Sequence, residues 1–98
     1  MKEHIYYVYI TTNPTRSTLY IGVTNDIANS LQVHYENRGN EDSFAGRYYC
    51  YNLVYCEVHE DIECAIEREK EIKKWRREKK VRLIEEQNPD WRFMNNDI

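Results

Sequence analysis

Two short runs near the start of the chain are rich in β-branched and aromatic side chains, which favour β-strands. They comprise residues 6–10 and 19–24, and the segment between them opens with Asn13-Pro14, a dipeptide that marks turns. Two such runs separated by a turn predict a β-hairpin.

One face of this hairpin combines tyrosines with a glycine. Alternation places Tyr7 and Tyr9 on the same face of the first strand, and Tyr20 and Gly22 on the same face of the second. Glycine weakens a strand unless another group must approach its backbone closely. Two interpretations stay open: tyrosines that only pack on a small sheet, or a surface where a group approaches the Gly22 backbone.

A helix and a third strand are predicted next. Thr24 or Asn25 is a suitable N-cap, and Asp26 suits the first helical turn. Residues 41–50 are predicted to be loop, and residues 53–58 have the composition of a strand. One helical stripe has the spacing i, i+4, i+7 and i+8, and its members are Ile27, Leu31, His34 and Tyr35.

A second helical region opens at His59-Glu60-Asp61, whose two acidic side chains suit a helix N-terminus. Its inward face consists of Ile62, Ala65, Ile66, Glu69 and Ile72. A carboxylate on a buried face is rare unless it is paired or binds a metal. Glu69 is therefore either a partner of a basic residue or tyrosine hydroxyl, or a ligand.

The helical composition continues to residue 87, and a single helix of that length would outgrow so small a domain. We therefore predict a kink near Trp75 and an end at Asn88-Pro89. Residues 91–94 are expected to fold back onto the body, and residues 95–98 to be frayed.

These elements predict an α+β fold of order β-β-α-β-α-α, in which helices flank a small three-stranded, mostly antiparallel sheet. The 98 residues are predicted to form one domain, 1–98, with a modest core. The expected core residues are Val8, Ile10, Leu19, Ile21, Leu31, Val54, Ile62, Ile66, Ile72 and Ile84.

Composition adds three expectations. A hydrophobic share of 41% and a charged share of 32% fit a soluble globular protein. No apolar run approaches the roughly 18 residues of a membrane helix, and no signal peptide opens the chain, so a cytoplasmic location without a membrane partner is expected. Cys50, Cys56 and Cys64 lack a C-x-x-C pair and are predicted to be small buried thiols.

The net charge of −3 argues against a purely electrostatic nucleic-acid binder, but the charges are unevenly distributed. Residues 1–67 contain 4 basic and 10 acidic side chains, whereas residues 68–98 contain 10 basic and 7 acidic ones. The basic run at 68–82 is either a solvated helix face with i,i+4 ion pairs or a footprint on phosphates.

The order of these elements, together with four short motifs, resembles the GIY-YIG nuclease superfamily. Residues 7–9 match the first half of its signature, with a tyrosine at the glycine position, and residues 20–22 match the second half intact. Residues 65–70 and 88–91 are similar to small single-domain bacterial members, which are related to the N-terminal nuclease module of the excision-repair endonuclease. The resemblance covers nearly the whole chain.

The resemblance implies metal-dependent hydrolysis of phosphodiesters in DNA, with branched or damaged DNA among the expected substrates. It implies that Glu69 holds a single divalent cation, Mg²⁺ or Mn²⁺. Tyr9 and Tyr20 would position or deprotonate the attacking water, and His34 would support them or transfer a proton. Hard cations favour carboxylate and water ligands, and they lower the pKa of bound water.

The same resemblance implies that the basic run lies against the nucleic-acid backbone. The expected nucleic-acid-binding residues are Arg47, Lys70, Lys73, Lys74, Arg76, Arg77 and Lys80.

One position departs from the family pattern. Four residues before the histidine, the family carries an arginine that neutralises the scissile phosphate; here it is Ser30, which has no charge. Losing such an arginine costs about 10³–10⁵ in rate, unless Arg38 or Arg47 replaces it. Three functions stay open: an impaired nuclease, a catalytically inactive nucleic-acid-binding domain, and a protein-interaction module.

Overall fold

The computed structural model describes residues 4–98 and contains a three-stranded antiparallel sheet. The central strand is β1 (Tyr6–Thr12), flanked by β2 (Leu19–Thr24) and β3 (Asn52–His59). Both pairings are antiparallel, so the predicted α+β fold with an antiparallel sheet is confirmed. Residues 1–3 of the predicted domain lie outside the described residues.

The helices are α1 (Ile27–Glu36), α2 (Phe44–Arg47), α3 (Ile62–Lys74) and α4 (Arg77–Gln87), followed by a 3₁₀ turn at Asn95–Asp97. The prediction of loop throughout residues 41–50 is wrong, because Ser43 accepts a hydrogen bond from the Gly46 amide and caps the short helix α2. The observed order is therefore β-β-α-α-β-α-α. No helix within residues 4–98 has the length and apolar character needed to cross a membrane.

The predicted hairpin is confirmed, and polar side chains fix its turn. The Asn13 Oδ1 atom accepts hydrogen bonds from the backbone amides of Ser17 and Thr18, at 2.8 and 3.0 Å. The Thr12 hydroxyl donates to the Thr18 carbonyl at 2.7 Å. These contacts set the register that pairs residues 7–12 with residues 24–19.

Both faces of the sheet are covered, so strand alternation separates two cores. The larger core, formed with α3 and α4, contains Val8, Ile10, Ile21, Val54, Tyr55, Ala65, Ile72 and Ile84. The smaller core, formed with α1, contains Tyr9, Ile27, Leu31 and Leu53. The tyrosine face of the hairpin is thus largely packed beneath α1, which brings the helix side chains over Tyr9.

The first turn of α3 corrects two predictions. Ile62, expected in the core, is 44% exposed, and Cys64, expected to be a buried thiol, is also exposed. Both lie in the first turn of the helix, after the N-cap Asp61 and before the first buried residue, Ala65. Of the other two thiols, Cys50 is buried and Cys56 is half-buried.

Further along, Leu19 and Ile66 are half-buried rather than fully buried, and the remaining predicted core residues are buried. The predicted kink is confirmed: α3 ends at Lys74, and Trp75 has an extended backbone. The end at Asn88 is confirmed as well.

Asn95 is anchored rather than frayed, which corrects the expectation for the first of residues 95–98, while residues 96–98 are exposed. The Asn95 side chain accepts a hydrogen bond from the Leu53 amide at 2.8 Å and donates to the Tyr51 carbonyl at 2.9 Å. The Met94 amide also donates to the Leu53 carbonyl. The predicted return of residues 91–94 to the body is therefore confirmed.

Candidate active site

The Tyr9 ring lies directly over the backbone of Gly22, its partner on the neighbouring strand. A Cβ atom at position 22 would lie 2.6 Å from the Tyr9 Cζ and hydroxyl oxygen, far inside van der Waals contact. Of the two interpretations of this glycine, the close approach is confirmed, and the approaching group is a tyrosine of the same sheet.

The replacement Gly22→Ala is expected to lower the free energy of unfolding by about 1–3 kcal/mol, because overpacking displaces the Tyr9 ring. Urea unfolding of the wild type and the variant measures this loss. In a Tyr9→Ala background the same replacement should cost far less, because the clashing ring is absent. An equal loss in both backgrounds would contradict the assigned contact.

Three of the predicted site residues meet above this glycine. The ring centroids of Tyr9 and Tyr20 are 6.3 Å apart, and those of Tyr20 and His34 are 5.1 Å apart. The Tyr9 hydroxyl and the His34 Nε2 atom share a hydrogen bond of 2.8 Å. Since Ile27 and Leu31 bury one side of α1, the helical stripe turns His34 toward the tyrosines.

Burial controls the protonation of this tyrosine–histidine cluster. It raises the pKa of Tyr9, the neighbouring Tyr20 and Glu69 raise it further, and the Ser30 hydroxyl acts in the opposite direction. Burial lowers the pKa of His34. Near neutral pH the cluster therefore contains a neutral phenol and a neutral imidazole.

Glu69 lies close enough to this cluster for its charge to affect Tyr9, although it comes from α3. Its side chain is 15% exposed, and its Oε2 atom pairs with the Lys73 Nζ atom at 2.8 Å. Of the partners that the sequence left open for Glu69, the structure shows the basic residue, Lys73. The carboxylate is nearly buried while its partner is half-exposed.

The donor set at Glu69 fits a cation that keeps most of its water ligands. Within residues 4–98 no three histidine, cysteine, aspartate or glutamate side chains form a group that could hold a metal ion. An ion at Glu69 would have one protein carboxylate, an arrangement that suits Mg²⁺ or Mn²⁺ better than tetrahedral zinc. The Lys73 ammonium already occupies the cation position at one carboxylate oxygen.

Ser30, at the position of the family arginine, has a structural contact. Its hydroxyl donates to the Thr24 Oγ1 atom at 2.7 Å, and Thr24 accepts a further hydrogen bond from the Asp26 amide. The N-cap of α1 is Asp26, whose carboxylate accepts from the Asn29 amide, so the predicted cap at Thr24 or Asn25 is wrong. These contacts attach α1 to the end of β2.

The two arginines proposed as replacements for the missing charge have local partners. The Arg38 guanidinium stacks 3.8 Å from the centroid of the Tyr35 ring and donates to the Tyr35 carbonyl. Arg47, on α2, donates to the Glu41 carbonyl at 3.1 Å. Each guanidinium is held by its own segment of the chain.

The predicted nucleic-acid-binding lysines and arginines of the basic run lie on α3, at the junction between α3 and α4, and on α4. Lys73 pairs with Glu69, and the Arg77 guanidinium donates to the Arg16 carbonyl at 3.3 Å. Lys80 is half-buried. The other members are exposed: Lys70, Lys74 and Arg76.

The sequence analysis missed a polar cluster that includes Arg68, the residue before Glu69. Glu57 on β3 accepts hydrogen bonds from the side chains of Tyr55, His59 and Arg68, the latter two at 2.6 and 3.0 Å. Burial opposes ionisation of Glu57, but these hydrogen bonds outweigh it and lower its pKa. The spacing of residues 55, 57 and 59 on one strand face was the available signal. The cluster fixes Arg68, the residue before Glu69.

Comparison with known proteins supplies independent evidence. The model of the GIY-YIG catalytic domain family matches residues 5–82. UPF0213 proteins of Staphylococcus aureus, among them those of strains Mu3 and COL, are 34% identical over 86 residues, which cover 88% of this chain and 99% of each relative. No solved structure matches the chain.

Proposed function

The chain belongs to the GIY-YIG catalytic domain family, and from this premise we propose that it is a nuclease that hydrolyses phosphodiester bonds in DNA with a divalent cation. The observation that carries the proposal is the meeting of Tyr9, Tyr20 and His34 above Gly22, with the charge of Glu69 nearby. Branched and damaged DNA are among the proposed substrates.

In the proposed mechanism His34 takes a proton from the attacking water. The neutral imidazole can donate its Nε2 hydrogen to the Tyr9 oxygen, which leaves Nδ1 free to accept the proton. Tyr9 is only 3% exposed, so it acts mainly by orienting the ring. Tyr20 and His34 are half-buried and can be reached by solvent. Tyr20 would hold the water beside the imidazole.

The water then attacks phosphorus, the bond to the leaving oxygen breaks, and that oxygen takes a proton from solvent. Glu69 would hold the cation, Mg²⁺ or Mn²⁺, which supplies Lewis-acid polarisation of the phosphoryl oxygen. The exposed lysines and arginine of α3 and of the junction with α4 would contact the nucleic-acid backbone.

The first test is a cleavage assay on plasmid, linear duplex, branched and single-stranded DNA, with Mg²⁺ or Mn²⁺ at low and physiological salt. We expect products with either ion and none after EDTA treatment, because the proposed site has one carboxylate for the cation. Readdition of Mn²⁺ should restore cleavage. Cleavage that persists in EDTA would contradict the proposed cation dependence.

The neutral Ser30 favours a second candidate, a catalytically inactive domain that only binds nucleic acid. Such a domain would bind labelled DNA with an affinity that falls steeply as salt rises. It would give no products with either cation. Cleavage by the wild type, lost in Glu69 variants, would exclude it.

A further inference from the structure

Phosphodiester hydrolysis increases the negative charge on the phosphoryl oxygens as the transition state forms, so an active site benefits from a fixed positive charge there. The cluster of Tyr9, Tyr20 and His34 contributes no side chain with a permanent positive charge. Ser30 adds a hydroxyl, and Glu69 adds a negative charge. A cationic side chain, Lys73, pairs with Glu69 itself.

Lys73 lies one helical turn after Glu69, and the pair spans the boundary between the protein interior and solvent. The Glu69 side chain is 15% exposed, whereas the Lys73 side chain is 50% exposed. A phosphate that approaches the carboxylate from solvent therefore meets the ammonium group first.

The ion pair itself is easily exchanged. An i,i+4 pair whose lysine is half-exposed contributes little to stability, because water and salt screen the ammonium and two long side chains must be ordered. A phosphate oxygen accepts a charge-assisted hydrogen bond from lysine equally well. The four-carbon stem of Lys73 allows the ammonium to turn from Glu69 to a phosphate without movement of α3.

Three arginines are alternative sources of a positive charge at the phosphate, and each has other contacts. Arg68 is bound by both Glu57 and Glu71, at 3.0 and 2.9 Å, and is only 26% exposed. Arg38 and Arg47 donate to carbonyls of their own segment. Within residues 4–98 the contacts of these three arginines do not include Glu69, whereas the Lys73 ammonium contacts the proposed cation ligand itself.

We propose that Lys73 supplies the positive charge at the scissile phosphate that Ser30 does not supply, and that its pairing with Glu69 holds it there before the substrate binds. The inference rests on the proposed nuclease function and gives Lys73 a role beyond general contact with the backbone. It assigns a specific task to one member of the basic run.

The test compares Lys73→Gln with Lys73→Arg and with Lys74→Gln, which removes a charge from the next, exposed position. Under single-turnover conditions with Mn²⁺, Lys73→Gln should slow cleavage by about 10²–10³-fold. Lys73→Arg keeps the charge and should stay within about tenfold of the wild type. Lys74→Gln loses only a general phosphate contact, so it should slow cleavage no more than it weakens DNA binding. Circular dichroism melting checks that all variants fold.

Two measurements without catalysis complete the test. The Kd for fluorescein-labelled DNA in EDTA should change equally in Lys73→Gln and Lys74→Gln, because each loses one general phosphate contact. The affinity for Mn²⁺ alone, measured by electron paramagnetic resonance, should rise roughly two- to fivefold in Lys73→Gln only, because the carboxylate loses a competing cation.

The outcomes separate the two proposals. If the wild type cleaves DNA and the two variants Lys73→Gln and Lys74→Gln have equal single-turnover rates, the proposed role of Lys73 is wrong and the nuclease function still holds. Equal loss in Lys73→Gln and Lys73→Arg, or a loss found entirely in the Kd, also overturns the role of Lys73. A wild type that cleaves nothing overturns both proposals together.

Discussion

Replacement of Glu69 with glutamine is expected to reduce the single-turnover cleavage rate by about 10³-fold or more, because it removes the one carboxylate proposed to hold the cation. Glutamine keeps the size of the side chain, so the packing of α3 on the sheet should survive. Lys73 loses its partner but is half-exposed and stays hydrated. Quenched-flow assays with Mn²⁺ measure the rate.

A matched control is Glu67→Gln, which removes the same charge from an exposed position on the same helix. It should change the rate by less than about threefold, because a surface charge acts weakly through water. Urea unfolding should show that both variants are as stable as the wild type to within about 1 kcal/mol. A Glu69→Gln variant that cleaves as fast as Glu67→Gln would show that the cation is held elsewhere.

The parts of the site that follow from the period of a strand or helix were predictable. Alternation put Tyr9 and Gly22 on the tyrosine-bearing faces of their strands, and the i, i+4, i+7 spacing put His34 on the face of α1 that packs toward the sheet. The same reasoning identified Glu69 as an inward carboxylate. Each of these positions is determined by local geometry, which a sequence displays directly.

The errors share a different physical origin. The exposure of Ile62 depends on which turn of α3 first contacts the sheet. Helical periodicity identifies the inward face of α3 but not that turn. The order of the last residues depends on Asn95 bonding to a strand more than 40 residues earlier. The Glu57 cluster likewise joins side chains from β3 and α3. Contacts between distant segments arise from packing and leave little trace in a local pattern.

At Ser30 the motif identified a missing charge but not the side chain that could replace it. The sequence indicated that a charge was missing, and it suggested Arg38 or Arg47 as substitutes. Both are held by carbonyls of their own segment, whereas Lys73 pairs directly with the proposed cation ligand. The i,i+4 spacing from Glu69 was visible in the sequence, but the choice between a lysine and a tyrosine hydroxyl as its partner required the packing of α3.

Replacement of Tyr9 with phenylalanine is expected to slow cleavage by about 10²–10³-fold while the protein stays folded. The ring keeps its position over Gly22, but the hydrogen bond to His34 is lost, which should cost about 1 kcal/mol of unfolding free energy. Tyr7→Phe is the control, because it removes a hydroxyl from the same face of β1, two residues away. Single-turnover rates and urea unfolding measure the two effects separately.

The pH profile distinguishes an oriented base from a merely structural contact. Neutral His34 is the active form in the proposed mechanism, so activity should be lost as the pH falls through the pKa of His34, which burial places below the ordinary value of 6.5. His34→Ala should remove this acid limb.

If Tyr9 acts only by orienting the imidazole, the double variant Tyr9→Phe/His34→Ala will be no slower than His34→Ala alone. Additive losses would instead assign Tyr9 a task independent of His34, which would contradict the proposed pairing.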